Sequence, residues 1–425
     1  MLGTRNMRLL TSAVFIGLFL PMLCFAKADR IQEIIIAGNQ KTKSSVILNM
    51  TNLHIGEEIT DKMLVDAKDR VSSSGLFEEV ELKKKEGKSP GKVVLIFRVK
   101  EKMSWFVAPT LQFSTDALSG GFVFGESNLL GLNKKALVFA DYGPSAKRAV
   151  IAYRDPSTFG THVTLALDGI FRLDRMLEYE DRKEIRRVRL LDYGATLLPG
   201  YRWSPKFTSS IGVCFRNINQ KLKGETKSLT RTTLQNGKDI AIVVRFVYDN
   251  TTNYQGLIHG AKIQFDTTLA DNRYYSDFDY AKQEMRFNSG IVFDHKQYNW
   301  QNHMSIQLEQ SAQLPYYREY TSGGTNLRGY VARQFRGDTK YGVGEEFYFP
   351  IHEFSRFLIR GVLFYDSNVI YFKDQEFSRN DWKNGVGGGL RFYMKGIVIP
   401  LIGYDVGWGI EDQTYASYLS IGAVF

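Results

Sequence analysis

Adjacent histidine and glutamate residues are the first candidates for chemistry, because zinc hydrolases use a His-Glu-x-x-His pattern on one helix face. His352 and Glu353 begin this pattern, but Arg356 occupies the position of the second histidine. The six histidines are scattered along the chain. We find no Gly-x-Ser-x-Gly nucleophile motif and no nucleotide-binding loop. We therefore expect no enzyme, no metal site and no cofactor.

The N-terminus has the features of a secretory signal peptide. Arg5 and Arg8 precede an apolar run over 9–20, and the small-residue pattern Ala26-Lys27-Ala28 follows. The run is shorter than the ~20 residues that a spanning helix needs. We predict that residues 1–28 are removed on export, the alternative being an uncleaved anchor.

Composition narrows the class of the mature chain. Cys214 would be its one cysteine, so the chain cannot close an internal disulfide. The formal net charge of +10 falls by three with the signal peptide, to +7. No basic block accompanies a nucleic-acid-binding motif, so we expect no nucleic acid partner. The charge suits loops that face anionic lipid or substrate.

Residues 29–101 have the pattern of a small α+β domain. The predicted elements are a strand over 30–37, a helix over 44–50, a helix that Thr60 caps and Ser72 to Gly75 terminate, and strands over 77–83 and 93–99. The order is β-α-α-β-β. An exposed sheet edge in such a domain can accept an extended client segment, although the domain could also be only a spacer.

From Met103 onward the hydrophobic period changes to two. Ile240, Ile242 and Val244 alternate with Ala241, Val243 and Arg245, and beyond the signal no stretch approaches ~18 apolar residues. An alternating region this long exceeds one soluble sandwich, and strands in hydrocarbon must close on themselves. We therefore predict an outer-membrane β-barrel over 102–425. It has about 16 antiparallel strands, with Arg245 and Glu309 facing the lumen.

Short phrases along most of the mature chain carry a family resemblance. The phrase Ser74 to Val80 resembles a POTRA domain, a periplasmic polypeptide-binding module. The most specific barrel phrase, GGTNLRGY, resembles the tip of the sixth extracellular loop in the BamA/TamA superfamily of outer-membrane insertases and transporters. Its marked residues are Gly323, Gly324, Leu327, Arg328, Gly329 and Tyr330. Four more phrases resemble barrel strands and turns of that family, at 125–131, at 248–253, at 346–350, and at 364–366 together with 385–391.

The resemblance implies that this loop tip folds back into the lumen, where its arginine bonds to acidic residues on the wall. We predict Asp366 as the first partner of Arg328 and Glu346 as the second, because a guanidinium fork binds carboxylates strongly at low dielectric. The glycines would let the backbone turn and approach the wall. The same ion pair could instead only brace the barrel.

The last residues resemble the sorting signal that outer-membrane barrels present to their insertion machinery, with the marked residues Ser420, Gly422 and Phe425. The family also implies a weak seam between the first and last strands. Glycines in the final strands, namely Gly403, Gly407, Gly409 and Gly422, would weaken packing there.

These features predict an outer-membrane protein insertion and assembly factor whose N-terminal domain lies in the periplasm. The expected partners are unfolded outer-membrane or secreted polypeptides, outer-membrane lipid, and periplasmic chaperones or accessory lipoproteins. Two alternatives stay open. One is a dedicated secretion transporter of the same superfamily, which typically carries two POTRA units and a plug helix, and the other is a passive channel.

Overall fold

The structure is a computed structural model that describes residues 29–114, 117–180, 183–223, 233–254, 256–294, 297–309, 314–394 and 402–421. The predicted signal peptide and two sorting-signal positions, Gly422 and Phe425, lie outside these residues. Within the described chain, no helix is both long and apolar enough to cross a membrane.

The N-terminal unit has the predicted β-α-α-β-β order, with β1 (Arg30–Ala37), α1 (Ser44–Thr51), α2 (Asp61–Ser72), β2 (Phe77–Glu86) and β3 (Lys92–Glu101). The sheet order is β1-β3-β2, with β1 parallel and β2 antiparallel to the central β3. Apolar side chains of the two helices pack on one face of this sheet. The core includes Ile47, Ala67, Val71, Leu95 and Phe97, which are all fully buried.

Two local signals in the sequence account for the second helix. The Thr60 side chain accepts a hydrogen bond from the Met63 backbone N–H at 3.3 Å, which caps the helix start. Gly75 follows the helix with a φ of +79°, in a region that favours glycine. Leu76 and Phe77 then enter the core with 4% and 3% of their surface exposed. The helix layer is thereby fixed against the sheet.

The rest of the described chain forms nineteen strands, of which sixteen close an antiparallel barrel and β12, β16 and β17 are short additions. The strands are β4 (Trp105–Ser114), β5 (Ala117–Leu129), β6 (Lys134–Tyr142), β7 (Ala146–Asp155), β8 (Val163–Glu180), β9 (Lys183–Ser204), β10 (Phe207–Leu222), β11 (Gly237–Asp249), β12 (Thr252–Tyr254), β13 (Leu257–Ala270), β14 (Tyr280–Phe293), β15 (Tyr298–Glu309), β16 (Tyr320–Ser322), β17 (Phe335–Gly337), β18 (Thr339–Glu353), β19 (Phe357–Tyr371), β20 (Trp382–Met394), β21 (Ile402–Gly409) and β22 (Thr414–Ile421). Short 3₁₀ helices span Thr158–Gly160, Tyr316–Arg318 and Arg379–Asp381. The predicted count of about 16 barrel strands is confirmed.

The barrel strands have two different faces. On β11, Ile242, Phe246 and Tyr248 are exposed on the outside, whereas Asp239 and Ala241 are fully buried on the inside. This is the alternation expected of strands with apolar side chains outside and polar side chains inside. The lumen-facing Arg245 binds Asp266, with 2.7 Å between Nε and Oδ1. Polar side chains on the inner face consequently meet each other rather than hydrocarbon.

The β5–β6 turn fixes the N-terminal unit to one end of the barrel. Asn128 donates from Nδ2 to Oγ1 of Thr42 at 2.8 Å, and these residues are only 3% and 1% exposed. Lys41 Nζ lies 2.7 Å from Glu126 Oε2, and the Lys43 N–H donates to the Gly131 carbonyl at 3.0 Å. The phrase at 125–131 thus supplies the residues of this junction.

Glu101 orders the strand-to-helix loop at the same junction. Its carboxylate accepts hydrogen bonds from the backbone N–H groups of Lys41 at 2.8 Å and Thr42 at 2.7 Å. Burial alone would raise the pKa of Glu101, but these hydrogen bonds offset burial and hold the pKa below its usual value. The loop that carries Lys41 and Thr42 is therefore held in place by the N-terminal unit itself, in addition to its contacts with the barrel.

We expect Asn128→Ala to loosen this junction, because losing one partner of a buried hydrogen bond costs about 1–3 kcal/mol. Spin labels at the exposed Lys68 and Lys206 would report the distance between the N-terminal unit and the barrel. We expect a broader distance distribution in Asn128→Ala. Ser127→Ala is the matched control, because the Ser127 hydroxyl reaches only the Ser104 carbonyl. Equally narrow distributions in both variants would contradict the assignment.

Candidate functional site

The connection between β15 and β18 enters the barrel lumen. Its described part, residues 314–338, carries the short β16–β17 hairpin and ends at the first residue of β18. Its large apolar side chains are buried, with Leu314, Tyr316, Leu327 and Tyr330 each at most 1% exposed. A connection on a barrel rim would leave such side chains in water, so these residues are what hold the loop inside.

The glycines of the loop tip take backbone conformations that other residues rarely adopt. The φ angles of Gly323, Gly324 and Gly329 are +113°, +72° and +103°. The Asn326 side chain closes the turn by accepting a hydrogen bond from the Gly323 N–H at 3.0 Å. These bends place Leu327 in the core and direct Arg328 toward the wall.

Arg328 lies against both carboxylates that the sequence pairs with it. Its Nε and Nη2 atoms donate to Asp366 at 2.7 and 2.8 Å, and Nη1 donates to Glu346 at 2.7 Å. Its backbone N–H also donates to Asp366, at 3.0 Å. Arg328 and Asp366 are 6% and 5% exposed. A two-pronged bond with so little water nearby holds both position and orientation.

Two further contacts of Arg328 were not predicted. Its guanidinium lies over the ring of Phe364, 3.5 Å from the ring centre, which adds a cation–π contact. Asp405 on β21 approaches Nη1 at 3.5 Å and is itself bound by Arg391 at 2.6 Å. One feature of the sequence could have identified Asp405. It stands in an alternating strand, on the same inner face as Gly403 and Gly407.

Glycines on β20 and β21 form the surface that the loop tip touches. A Cβ atom at Gly385 would lie 2.0 Å from the Arg328 carbonyl oxygen, and one at Gly407 would lie 2.6 Å from the Gly329 nitrogen. At Gly409 the Tyr330 ring is 2.7 Å from the same position. Gly407 and Gly409 thus leave room for the loop tip, whereas their weakening of the last strands stays a prediction.

The loop tip also holds the last strand of the barrel. The Tyr418 hydroxyl accepts from the Gly329 N–H at 3.2 Å and donates to the Tyr330 carbonyl at 2.9 Å. Thr414 donates to the Gly329 carbonyl at 2.6 Å, and the Tyr330 hydroxyl donates to Glu411 at 2.5 Å. The first residue of β22 and Tyr418 near its middle are thereby connected to the loop. Ser420, the described residue of the sorting signal, lies in β22 and does not contact the loop tip.

A second anchor holds the first half of the loop to the opposite wall. Arg318 forms a salt bridge with the fully buried Asp239 on β11, and its Nε donates to that carboxylate at 3.1 Å. The hydroxyls of Tyr317 and Tyr280 donate to Asp239 at 2.5 and 3.0 Å. Sequence reasoning missed this group, because none of these residues stands in a marked phrase. The loop therefore spans the lumen between two walls.

The described residues hold no cluster of three or more histidine, cysteine or acidic side chains that could bind a metal ion. The site's chemistry is accordingly that of ion pairs and hydrogen bonds between a loop and a wall.

Two family models match the chain. A model described as the Omp85 superfamily domain matches residues 128–415, and a POTRA model described as a surface antigen variable number repeat matches residues 30–102. The first match spans more than half of the sequence. The chain belongs to the Omp85 superfamily. The predicted resemblance and the POTRA unit are thereby confirmed. No curated protein matches this Omp85 chain.

Solved structures share the fold of this Omp85 barrel. BamA from Haemophilus ducreyi lacking POTRA domains 1–3 aligns with a TM-score of 0.62 and 14% identity, over 93% of this chain and 84% of that chain. CdiB from Acinetobacter baumannii and CdiB from Escherichia coli each align with a TM-score of 0.66 and 13% identity, over 93% of this chain. The alignments cover 74% and 76% of the two CdiB chains.

We expect Arg328→Ala to release the loop tip while the barrel stays folded. Removing one partner of a buried ion pair costs about 3–5 kcal/mol, so the ratio of docked to released loop should fall by roughly 100-fold or more. Trypsin cleavage within 314–338 would detect release, and the heat-resistant migration of the barrel would report its fold. The control Arg333→Ala removes the loop's one-third-exposed pair with Asp174. Equal trypsin resistance in Arg328→Ala and the control would refute the pinning role.

Gly385→Ala tests the glycine surface without removing a charge. The added methyl group would meet the Arg328 carbonyl at 2.0 Å, so we expect the tip to shift and trypsin to reach Arg328 faster. Gly169→Ala is the control, because its nearest neighbour would lie 3.9 Å away. The same cleavage rate in the two variants would show that the wall tolerates a side chain there.

Proposed function

We propose that this protein is an outer-membrane assembly factor. It receives unfolded polypeptides through its periplasmic POTRA unit and assists their insertion at the seam of the barrel. We likewise propose, as parts of this function, that the barrel lies in the outer membrane, that its clients are unfolded polypeptides and that the loop residues control the seam. Periplasmic chaperones or accessory lipoproteins would deliver the clients. The observation that carries the proposal is the short pairing between the first and last strands, together with the loop that holds one of them.

The seam has few hydrogen-bonded positions. In the described residues β22 pairs with β4 at four positions, from Tyr418 opposite Ser114 to Ile421 opposite Leu111. The same β22 pairs with β21 at eight positions and β4 pairs with β5 at ten. Among the described residues, opening the seam would therefore break fewer backbone hydrogen bonds than separating β22 from β21 or β4 from β5. A client strand could replace them by pairing with the freed edge.

The loop tip supports a role in controlling that edge. Tyr418 starts the four-position seam and also bonds to the backbone of Gly329 and Tyr330. The pin at Arg328 lies one residue away. Displacement of the pinned tip would thus remove inner support from β22, and a docked tip would favour the closed seam.

The POTRA sheet offers one edge for a client. The start of β1 is covered, because the Ile31 N–H donates to the Glu57 carbonyl at 2.9 Å and its carbonyl accepts from the Gly56 N–H at 2.7 Å. Among the described residues no backbone pairs with the outer edge of β2. Its charged side chains, which include Glu79, Glu81 and Lys83, would discourage aggregation while a client adds a strand.

A dedicated secretion transporter is the second candidate. The lumen beside the loop contains two cavities, of about 250 and 370 Å³. Displacement of the loop would merge these cavities into a continuous passage for a polypeptide. A passive channel is less favoured, since the loop crosses the lumen and is anchored on both sides.

Depletion of the protein followed by comparison of outer-membrane proteomes separates these candidates. We expect a broad loss of barrel proteins, because an assembly factor serves many clients. Loss of one secreted protein alone would replace our proposal with the transporter. No loss of either kind would exclude both.

A disulfide across the seam tests the route itself. Gln112 and Ser420 lie directly opposite each other on β4 and β22, so the double variant Gln112→Cys, Ser420→Cys should lock the seam when oxidised. We expect assembly activity in reconstituted vesicles to fall at least tenfold and to return on reduction. The control Gln112→Cys, Ser119→Cys locks β4 to β5 and should stay active. A seam-locked protein with full activity would rule out the seam as the route.

A further inference from the structure

Positive charge on the far side of the loop is incompletely neutralised. Arg172 on β8 and Arg216 on β10 share one carboxylate, Asp192, at 3.0 Å each. Asp192 is 1% exposed. Both Nε atoms of these arginines are buried without a hydrogen-bond partner. One carboxylate between two guanidinium groups leaves a net positive charge inside the wall.

Lys340 on β18 adds to this excess. It is 6% exposed, and its Nζ donates to the Thr321 carbonyl at 3.0 Å. In the part of the chain that the structure describes, no carboxylate lies within salt-bridge distance of Lys340. Buried lysines in proteins are normally paired with an acid, because an isolated buried ammonium group is costly. An anion from outside the chain would complete its surroundings.

The unneutralised cations line one cavity. Its volume is about 370 Å³, and its lining includes Arg172, Arg216 and Lys340 together with Thr321 and Asn326 of the loop. Lys282 also lines it and shares Glu284 with Arg286, at 3.1 and 3.6 Å. Two of the three carboxylates in the lining, Asp192 and Glu284, are thus each divided between two cations, and the third, Glu319, binds Arg336 at 2.8 Å. Hydrogen-bond donors from the walls and from the loop converge on this space.

We propose that this cavity is a binding site for a phosphate-type oxyanion. Arginine forks and a lysine ammonium group are the side chains that bind phosphate in proteins. A phosphate here would contact Arg172 and Arg216 on one wall and Lys340 on another, next to the loop residue Thr321. Its binding would connect the loop to both walls and favour the docked loop. The phosphate could be dissolved or part of a lipid headgroup, and the chemistry of recognition is shared.

Calorimetric titration of the mature, detergent-solubilised protein with inorganic phosphate tests the site, with chloride at equal ionic strength as the reference. We expect saturable binding and a rise in the unfolding temperature with phosphate concentration. Lys340→Gln should weaken binding at least tenfold, and Arg172→Gln should do the same. The control Lys383→Gln removes a lumen lysine that already binds Asp412 at 3.0 Å, and it should bind phosphate as the wild type does.

Heat-resistant migration confirms that each variant is folded before titration. No saturable binding to the folded wild type, or equal binding to Lys340→Gln, would overturn the proposal. Phosphatidic acid in the micelle that displaces inorganic phosphate would identify a lipid headgroup as the source, and failure to displace it would identify a dissolved phosphate. The titration measures binding without any client. Its result is therefore independent of the assembly function.

Discussion

Backbone hydrogen bonding within the sheet is the constraint on which the rest of the structure depends. Hydrocarbon offers no partner for an N–H or C=O group, so the sixteen strands must close on themselves. Closure separates the side chains into an apolar outer face and a polar inner face. The inner face then collects charges in a space with little water. Buried arginines of the loop meet carboxylates on this face, with Arg328 bound to Asp366 and Arg318 bound to Asp239.

The loop and the seam are connected through β22, because this strand pairs with β4 and also bonds to the loop tip. In the described part of the chain four positions pair across the seam, and the loop adds bonds from its backbone to Thr414 and Tyr418 of β22. We propose that these bonds depend on Arg328, which keeps the tip in place. The ion pair of Arg328 with Asp366 joins the loop to β19, whereas the seam joins β22 to β4. We infer that the ion pair on β19 can thereby support the contact between β22 and β4.

Periodicity and short phrases predicted the fold well, for physical reasons. Period-two alternation predicts a barrel because each strand has one face toward lipid and one toward the lumen. Thr60 marks the helix start through its side-chain cap, and Gly75 marks the helix end through its positive φ. Arg328, Asp366 and Glu346 were predicted as a group, and the structure brings them together. Asp405, Arg318 and Asp239 were not predicted. A sequence contains many charged residues that face the lumen, and their pattern does not distinguish the ones that form ion pairs. The path of the loop through the lumen determines which of these residues come into contact.

Glycine illustrates the same limit. Glycines near the end of the chain were expected to loosen packing, and the structure adds that Gly385 and Gly407 lie where the loop backbone approaches and Gly409 lies against the Tyr330 ring. A glycine reports that space near its Cα is needed, but the sequence does not say what fills it. The three glycines belong to β20 and β21, and they face a loop over 50 residues away in the chain. The loop, its arginine and this smooth wall therefore act as one unit, since a methyl group on the wall and a missing guanidinium on the loop would both displace the tip from β22.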